Sequence, residues 1–249
     1  MNIETILFLA AGACLGGFVN GLAGFGTALF VLGFWLQVLT PLQAVAVTVA
    51  VALATGVQGM WIVRHDIMNN PKRLARFLLP SLVGIPLGIW ALQWIEAELL
   101  KLVVAGLLLV YGTFFLLRRK LPNFDRPTPI VDGSIGLVAG VLGGLAGLSG
   151  ALPAMWCALR GWPKGETRAV LQPFNFVVLA ITFVVLVSQG AYTRTTIMAF
   201  SVALAVAYPA SLFGIWVFRR LTDIQFRWLL IGLMFVSGAG LMLQIVFDS

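Results

Sequence analysis

The side chains of this 249-residue chain best placed for chemistry are neutral: Asn20, Thr27, Gln58, Ser149, Gln172 and Asn175. Two short glycine-rich sequences hold or adjoin most of them. One reads Asn20-Gly21-Leu22-Ala23-Gly24-Phe25-Gly26-Thr27, the other Gly143-Gly144-Leu145-Ala146-Gly147-Leu148-Ser149-Gly150. Glycine allows positive φ and close backbone approach, as a break in an apolar helix requires. A helix restarting after such a break has first-turn N–H groups with no internal partner and the positive end of its dipole there. That is an anion site needing no charged side chain. The candidate ligand-binding set is therefore the backbone near Gly26, Thr27, Ser149 and Gly150, assisted by Asn20, Gln58, Gln172 and Asn175. The competing interpretation is that these glycines serve only tight helix packing, with the hydroxyls bonded to their own helices.

The surrounding segments show where such residues must sit. Hydrophobic residues make up 60% of the chain and charged ones 10%, a balance that suits lipid rather than water as the solvent. Uncharged runs at 42–63, 77–95, 195–218 and 228–247 are each long enough to cross a hydrocarbon core. The net charge of +7 comes from short basic clusters between these runs, which points to membrane orientation and not to a nucleic-acid partner. Glu4 and the lack of a basic start argue against a cleaved signal peptide.

Polar stripes recur on the apolar helices. Thr48, Thr55 and Gln58 share one arc, as do Gln172, Asn175 and Thr182, and Ser201, Tyr208 and Ser211 repeat the spacing. Apart from Glu98 and Lys101 at the start of 97–117, no charged residue falls inside the six plain spans as bounded below, so an anion has to be held by neutral donors. Cys14 and Cys157 read as buried hydrophobes, and His65 as a solvated loop residue. No metal-ligand spacing, nucleophile constellation or phosphate loop is present, so no cofactor, no metal and no enzymatic activity are expected.

The chain is duplicated. Gly-Leu-Ala-Gly at 21–24 returns at 144–147, an offset of 123, and the stretches 105–112 and 231–238 resemble each other at an offset of 126. The first repeat, 1–117, is expected to hold a hairpin at 5–38 and helices at 42–63, 77–95 and 97–117. A polar cytoplasmic linker occupies 118–131. The second repeat, 132–249, holds a hairpin at 133–159 and helices at 169–189, 195–218 and 228–247.

The basic residues decide whether the hairpins span. Were both glycine-rich segments to cross, the sixteen Lys and Arg would split nine to seven between the faces. Were both re-entrant, fourteen would share one face, leaving Lys101 and Arg194 opposite. The positive-inside rule selects the second arrangement. The expected fold is thus an all-α polytopic membrane protein of two inverted-topology repeats, each a re-entrant or broken glycine-rich helical hairpin plus three spanning helices. Both termini lie outside the cell inner (plasma) membrane. Inverted halves with broken helices are a recurring design of secondary transporters.

The two glycine motifs resemble the duplicated motifs of the TauE/SafE sulfite exporter family, and the stretch from Arg160 through Gln172-Pro173-Phe174 to Asn175 is similar to the segment that follows the second motif in one branch. The first half departs from the family pattern, having Gly26-Thr27-Ala28 where a triple glycine and a proline are common. The resemblance implies a secondary transporter, usually an exporter, of sulfite, sulfoacetate or a related organosulfonate, and it supplies no catalytic residues. The alternatives are a channel-like anion pore and an anion importer. The expected partners are a small anionic substrate and membrane lipid, with no nucleic acid; whether the chain forms a homo-oligomer is left open.

Overall fold

A computed structural model describes residues 2–69, 71–96, 128–159 and 164–226, with scattered positions in 98–113 and 228–235. Most of the expected linker and much of the expected helices 97–117 and 228–247 lie outside the described residues. Among the described residues every regular element is helical. The elements are α1 (Ile3–Ala23), α2 (Thr27–Trp35), α3 (Pro41–Asn69), α4 (Pro71–Leu92), α5 (Pro129–Ala146), α6 (Ala151–Leu159), α7 (Lys164–Ser188) and α8 (Arg194–Arg220). All but α2 and α6 are long and apolar enough to cross a membrane, at least in part of their length.

Local sequence sets the ends. Proline opens α3, α4 and α5, where its missing N–H would have had no helical acceptor. Thr193 caps α8 by accepting a hydrogen bond from the Thr196 N–H. Helices α1 and α5 both close on a left-handed glycine. Gly24 has φ 81° and donates to the Asn20 carbonyl, while Gly147 has φ 69° and donates to the Gly143 carbonyl. Gly26, at φ 95°, then redirects the chain into α2. The short helices α2 and α6 have nine residues each and start 124 positions apart.

Each long arm turns back on its short one. In the first hairpin, Gly12 lies under Trp35 and Gly16 under Val31 and Thr27, so α1 and α2 run antiparallel. The indole N–H of Trp35 donates to the Leu9 carbonyl, fastening the end of α2 to the body of α1. The arms are unequal: α1 has 21 residues and α5 has 18, against nine in each returning helix.

Each hairpin is seated on the other half of the chain. Helix α1 runs parallel to α8, with Gly17 on the Ala207 backbone and Gly21 on that of Ser211. Helix α5 runs parallel to α4, with Gly136, Gly140 and Gly144 on the Phe77, Ser81 and Ile85 backbones. The approach is returned, Gly214 resting on α1 and Gly84 and Gly88 on α5. Helices α3 and α7 run antiparallel to one another at the centre: Gln172 meets Gly56 and Gly59, and further along the Tyr192 hydroxyl donates to the Ala46 carbonyl. The outer faces of α4 and α8 expose Leu79, Val83, Leu87, Trp90, Phe213 and Trp216, as lipid contact demands.

Most of the described charged helix ends collect at one end of the bundle, Arg194 at the start of α8 lying at the other. Arg73 pairs with Glu166 at 3.2 Å, and Arg76 lies 3.8 Å from Asp132. Arg64 and Arg219 line one groove.

A Cβ at Gly21 would stand 2.0 Å from the Ser211 carbonyl oxygen, and one at Gly88 equally close to that of Val141, whereas Gly165 has open space. Gly21→Ala and Gly88→Ala should each destabilise the protein by about 1–3 kcal/mol. Gly165→Ala, a helical position without neighbours, should be neutral or slightly stabilising. Thermal melting followed by size-exclusion chromatography separates the three.

Candidate functional site

The two helix breaks meet. A Cβ on Gly150 would stand 2.4 Å from that of Phe25, so the second tip is pressed directly against the first. Gly147 rests on Ala28, Thr48 and Val49, while Gly24 rests on the side chain of Gln172. Gln172 and Thr48 are themselves 124 positions apart, so Gly24 and Gly147 rest on residues at that same spacing in the other half of the chain.

Helix α7 reaches both tips from one face. Asn175 accepts a hydrogen bond from the Ser149 hydroxyl at the second tip. One turn earlier, the Gln172 amide lies between Gly24 at the first tip and Gly56 and Gly59 of α3, its Nε2 donating to the Gly56 carbonyl at 3.2 Å. Its Oε1 is buried with no hydrogen-bond partner. Asn20, in the last turn of α1, donates from Nδ2 to Thr55 at 2.6 Å and to the Ala52 carbonyl at 3.2 Å, leaving its Oδ1 without a partner. Thr27 opens α2, makes no capping bond, and its buried hydroxyl is also unpartnered. A buried polar group left unpaired costs about 1–3 kcal/mol; of the three such atoms about the first tip, the Thr27 hydroxyl can donate and the two amide oxygens can only accept.

The structure thus gathers Asn20, Gly26, Thr27, Ser149, Gly150, Gln172 and Asn175 at or beside the tips. Gln58 belongs elsewhere. It lines a groove of about 880 Å³ between α3 and α8, with Tyr208, Trp61 and Trp216 and with Arg64 and Arg219 as its cations, and both of its amide atoms lack partners. The hydroxyls of Thr48, Thr55 and Thr182 donate to carbonyls of their own helix, which is the bland outcome for polar residues in a membrane. The stripe Ser201, Tyr208 and Ser211 divides among an exposed face, the groove and the α1 contact.

One expectation is corrected. The sequence puts Arg168 just ahead of the helix expected at 169–189, which leaves neutral donors alone in the spans. Helix α7 instead begins at Lys164, its apolar span at Gly165, and Arg168 lies inside it, 1% exposed. Its guanidinium donates to the Gly21 carbonyl at 2.9 Å and more distantly to that of Leu22 at 3.4 Å. These are carbonyls of the last turn of α1, where the helix has no further N–H to offer them. The guanidinium also lies 4.4 Å from the Phe218 ring centre, a cation–π contact. A signal was available: Arg168, Gln172 and Asn175 follow spacings of four and three, the same periodicity used to align the polar stripes.

Cys157 is buried and Cys14 is exposed on α1, so the second of these departs from the expected buried hydrophobe. Asp132, near the start of α5, is a further buried carboxylate that sequence reasoning passed over. It accepts from the Trp156 indole at 2.8 Å, tying α5 to α6.

Residues 8–241 match the family described as Sulfite exporter TauE/SafE. The chain belongs to the TauE/SafE family. No curated protein matches the sequence. Family membership and six candidate spans make the chain a multi-pass membrane protein of a transporter family.

The free Gln172 Oε1 is an acceptor suited to a proton-bearing ligand or a bridging water, while its Nε2 ties α7 to α3 through the Gly56 carbonyl. Gln172→Met keeps the volume, removing the unpaired acceptor together with that one bond, so the melting temperature should change little while anion flux falls about tenfold or more. Parallel melting and vesicle-flux measurements check both halves; a loss of stability matching the loss of flux would make Gln172 a packing residue.

Proposed function

We propose that this TauE/SafE protein is a secondary transporter, working as an exporter, for a small sulfur-containing anion: sulfite, sulfoacetate or a related organosulfonate. The anion is bound where the two glycine-rich tips meet, near the middle of the membrane. The observation that carries this reading is the convergence at the first tip of the α2 start with the buried, unpartnered Thr27 hydroxyl, both able to donate to an anion; the open Oδ1 of Asn20 and Oε1 of Gln172 are acceptors and suit a proton that the ligand or a bridging water carries. First-turn amides and neutral side chains offer short, directed donors to sulfur-bound oxygens.

The proposed architecture is a pair of inverted repeats with both hairpins re-entrant. In its favour, α1 runs with α8 and α5 with α4 while the central α3 and α7 oppose each other, so the hairpins enter from opposite ends. The gathering of Arg64, Arg73, Arg76 and Arg219 at one end suits a cytoplasmic face, and the proposed orientation has both termini outside the inner membrane. Transport then consists of the halves rocking about the tips. The membrane potential alone favours anion exit, by roughly 2.3 kcal/mol per charge at 100 mV.

Reconstituted vesicles test the function. Wild-type protein should carry sulfite or an organosulfonate down an imposed potential, and Asn175→Ala should reduce that flux about tenfold; a wild-type chain inert to all such anions rejects the reading. Topology is checked separately. In a Cys14→Ser background, single cysteines at Arg160 and Arg219 should both resist a membrane-impermeant thiol reagent applied outside intact cells. Labelling of either one contradicts the re-entrant arrangement.

A further inference from the structure

The tips form a site from uncharged groups, yet a full positive charge lies buried beside them. We propose that Arg168 is the fixed cation of the anion site and that it selects singly charged ligands, of the sulfonate or hydrogen-sulfite type, over dianions. The assignment rests on the reading of the first tip as an anion site and names the charge class of its ligand.

The compensation Arg168 now receives is partial. Its hydrogen bonds go to two backbone carbonyls and its Nε has no partner. Among the described residues no carboxylate pairs with it; the ion pairs present join Arg73 to Glu166 and Arg76 to Asp132. The carbonyl end of α1 supplies only about half a negative charge. Nearby Arg219 adds a like charge. A buried guanidinium in this state is costly, and bringing one anion against it removes that cost.

A purely structural duty, closing the end of α1, does not account for the residue. The end of α5 closes in the same way, on left-handed Gly147 with N–H bonds to the Gly143 and Leu142 carbonyls. The position corresponding to Arg168 in the first repeat, 124 residues earlier, is Ala44. The turn therefore forms at one tip without a cation. The polar groups left without partners, on Asn20, Thr27, Gln172 and Arg168, surround the tip that has one.

The charge class follows from electrostatics in a dry site. One anion neutralises the one guanidinium buried at the tip, whereas a dianion leaves an unbalanced negative charge in a medium that screens it poorly; exposed Arg219 is screened by water and does not make up the difference, so among the anions named above hydrogen sulfite and monosulfonates are favoured over doubly charged sulfoacetate. The open groove bearing Arg64 and Arg219 has the opposite preference, because a solvated pair of cations attracts the more highly charged ion more strongly. The order of affinities thus separates the two places.

The test is ligand-induced thermal stabilisation of the full chain purified in detergent, titrated with methanesulfonate and with sulfate. Wild-type protein should bind methanesulfonate at least tenfold more tightly than sulfate. Arg168→Gln should lose the methanesulfonate effect, and Arg168→Lys, which keeps the charge without the fork, should retain it at reduced affinity. A preference for sulfate in the wild type, no response to methanesulfonate, or wild-type affinity in Arg168→Gln would each overturn the proposal. If Arg168→Gln does not fold, the wild-type order and the lysine variant decide. Methanesulfonate binding without flux of any sulfur anion in vesicles would reject the transport reading and leave Arg168 assigned; flux unaltered by Arg168→Gln would reject Arg168 alone.

Discussion

Backbone groups released by a helix break find no water in a hydrocarbon layer, and every other feature of this fold answers that constraint. The breaks at Gly24 and Gly147 are buried in protein: each lies on a core residue from the other half of the chain, and the two tips lie against one another. Covering them requires helices to approach far more closely than ordinary side chains permit. The stripes Gly17/Gly21 and Gly136/Gly140/Gly144 let α8 and α4 come to backbone contact. Glycine therefore does two jobs here, at different positions. Gly24, Gly26 and Gly147 bend the chain, and the others admit a neighbouring helix.

The two readings of the glycine-rich segments, ligand site and packing device, are thus not rivals. Packing is what recurs in the two halves. Gly88 and Gly214 correspond at the offset of 126, and they make matching contacts with α5 and α1. The polar chemistry is not preserved in the same way. Asn20 corresponds to Gly143, Gln172 to Thr48, and Arg168 to Ala44. A fold that needed these side chains for stability would have them at both tips. Their presence on one side marks them as additions to a scaffold that stands without them.

Much of this was legible in the sequence, for identifiable reasons. The glycine motifs, their repetition and the matching arcs on the core helices are local patterns, and periodicity reads local patterns well. Family resemblance rested on the same motifs and holds over residues 8–241. What escaped was tertiary. Gln58 shares an arc with Thr48 and Thr55, but over three turns the surroundings of α3 change, and Gln58 comes to line the α8 groove. Arg168 escaped because a charge is naturally taken as the end of a span. The α1 carbonyls that accept from it come from a segment 146 and 147 residues away in sequence, and no local pattern announces them.

The same cross-chain bonds say how the site could work. Arg168, Gln172 and Asn175 project from one helix, yet the first two touch the α1–α2 turn and the third touches the α5–α6 turn. A ligand drawing on Arg168 competes with the carbonyls of the first tip, whereas Asn175 holds the second tip by a separate bond. On the proposed reading, occupancy loosens α7 from one hairpin and leaves it tied to the other. Pro173 lies between these two sets of contacts and removes the N–H that would have bonded the Ala169 carbonyl, so α7 is least braced between the residues that would have to move apart.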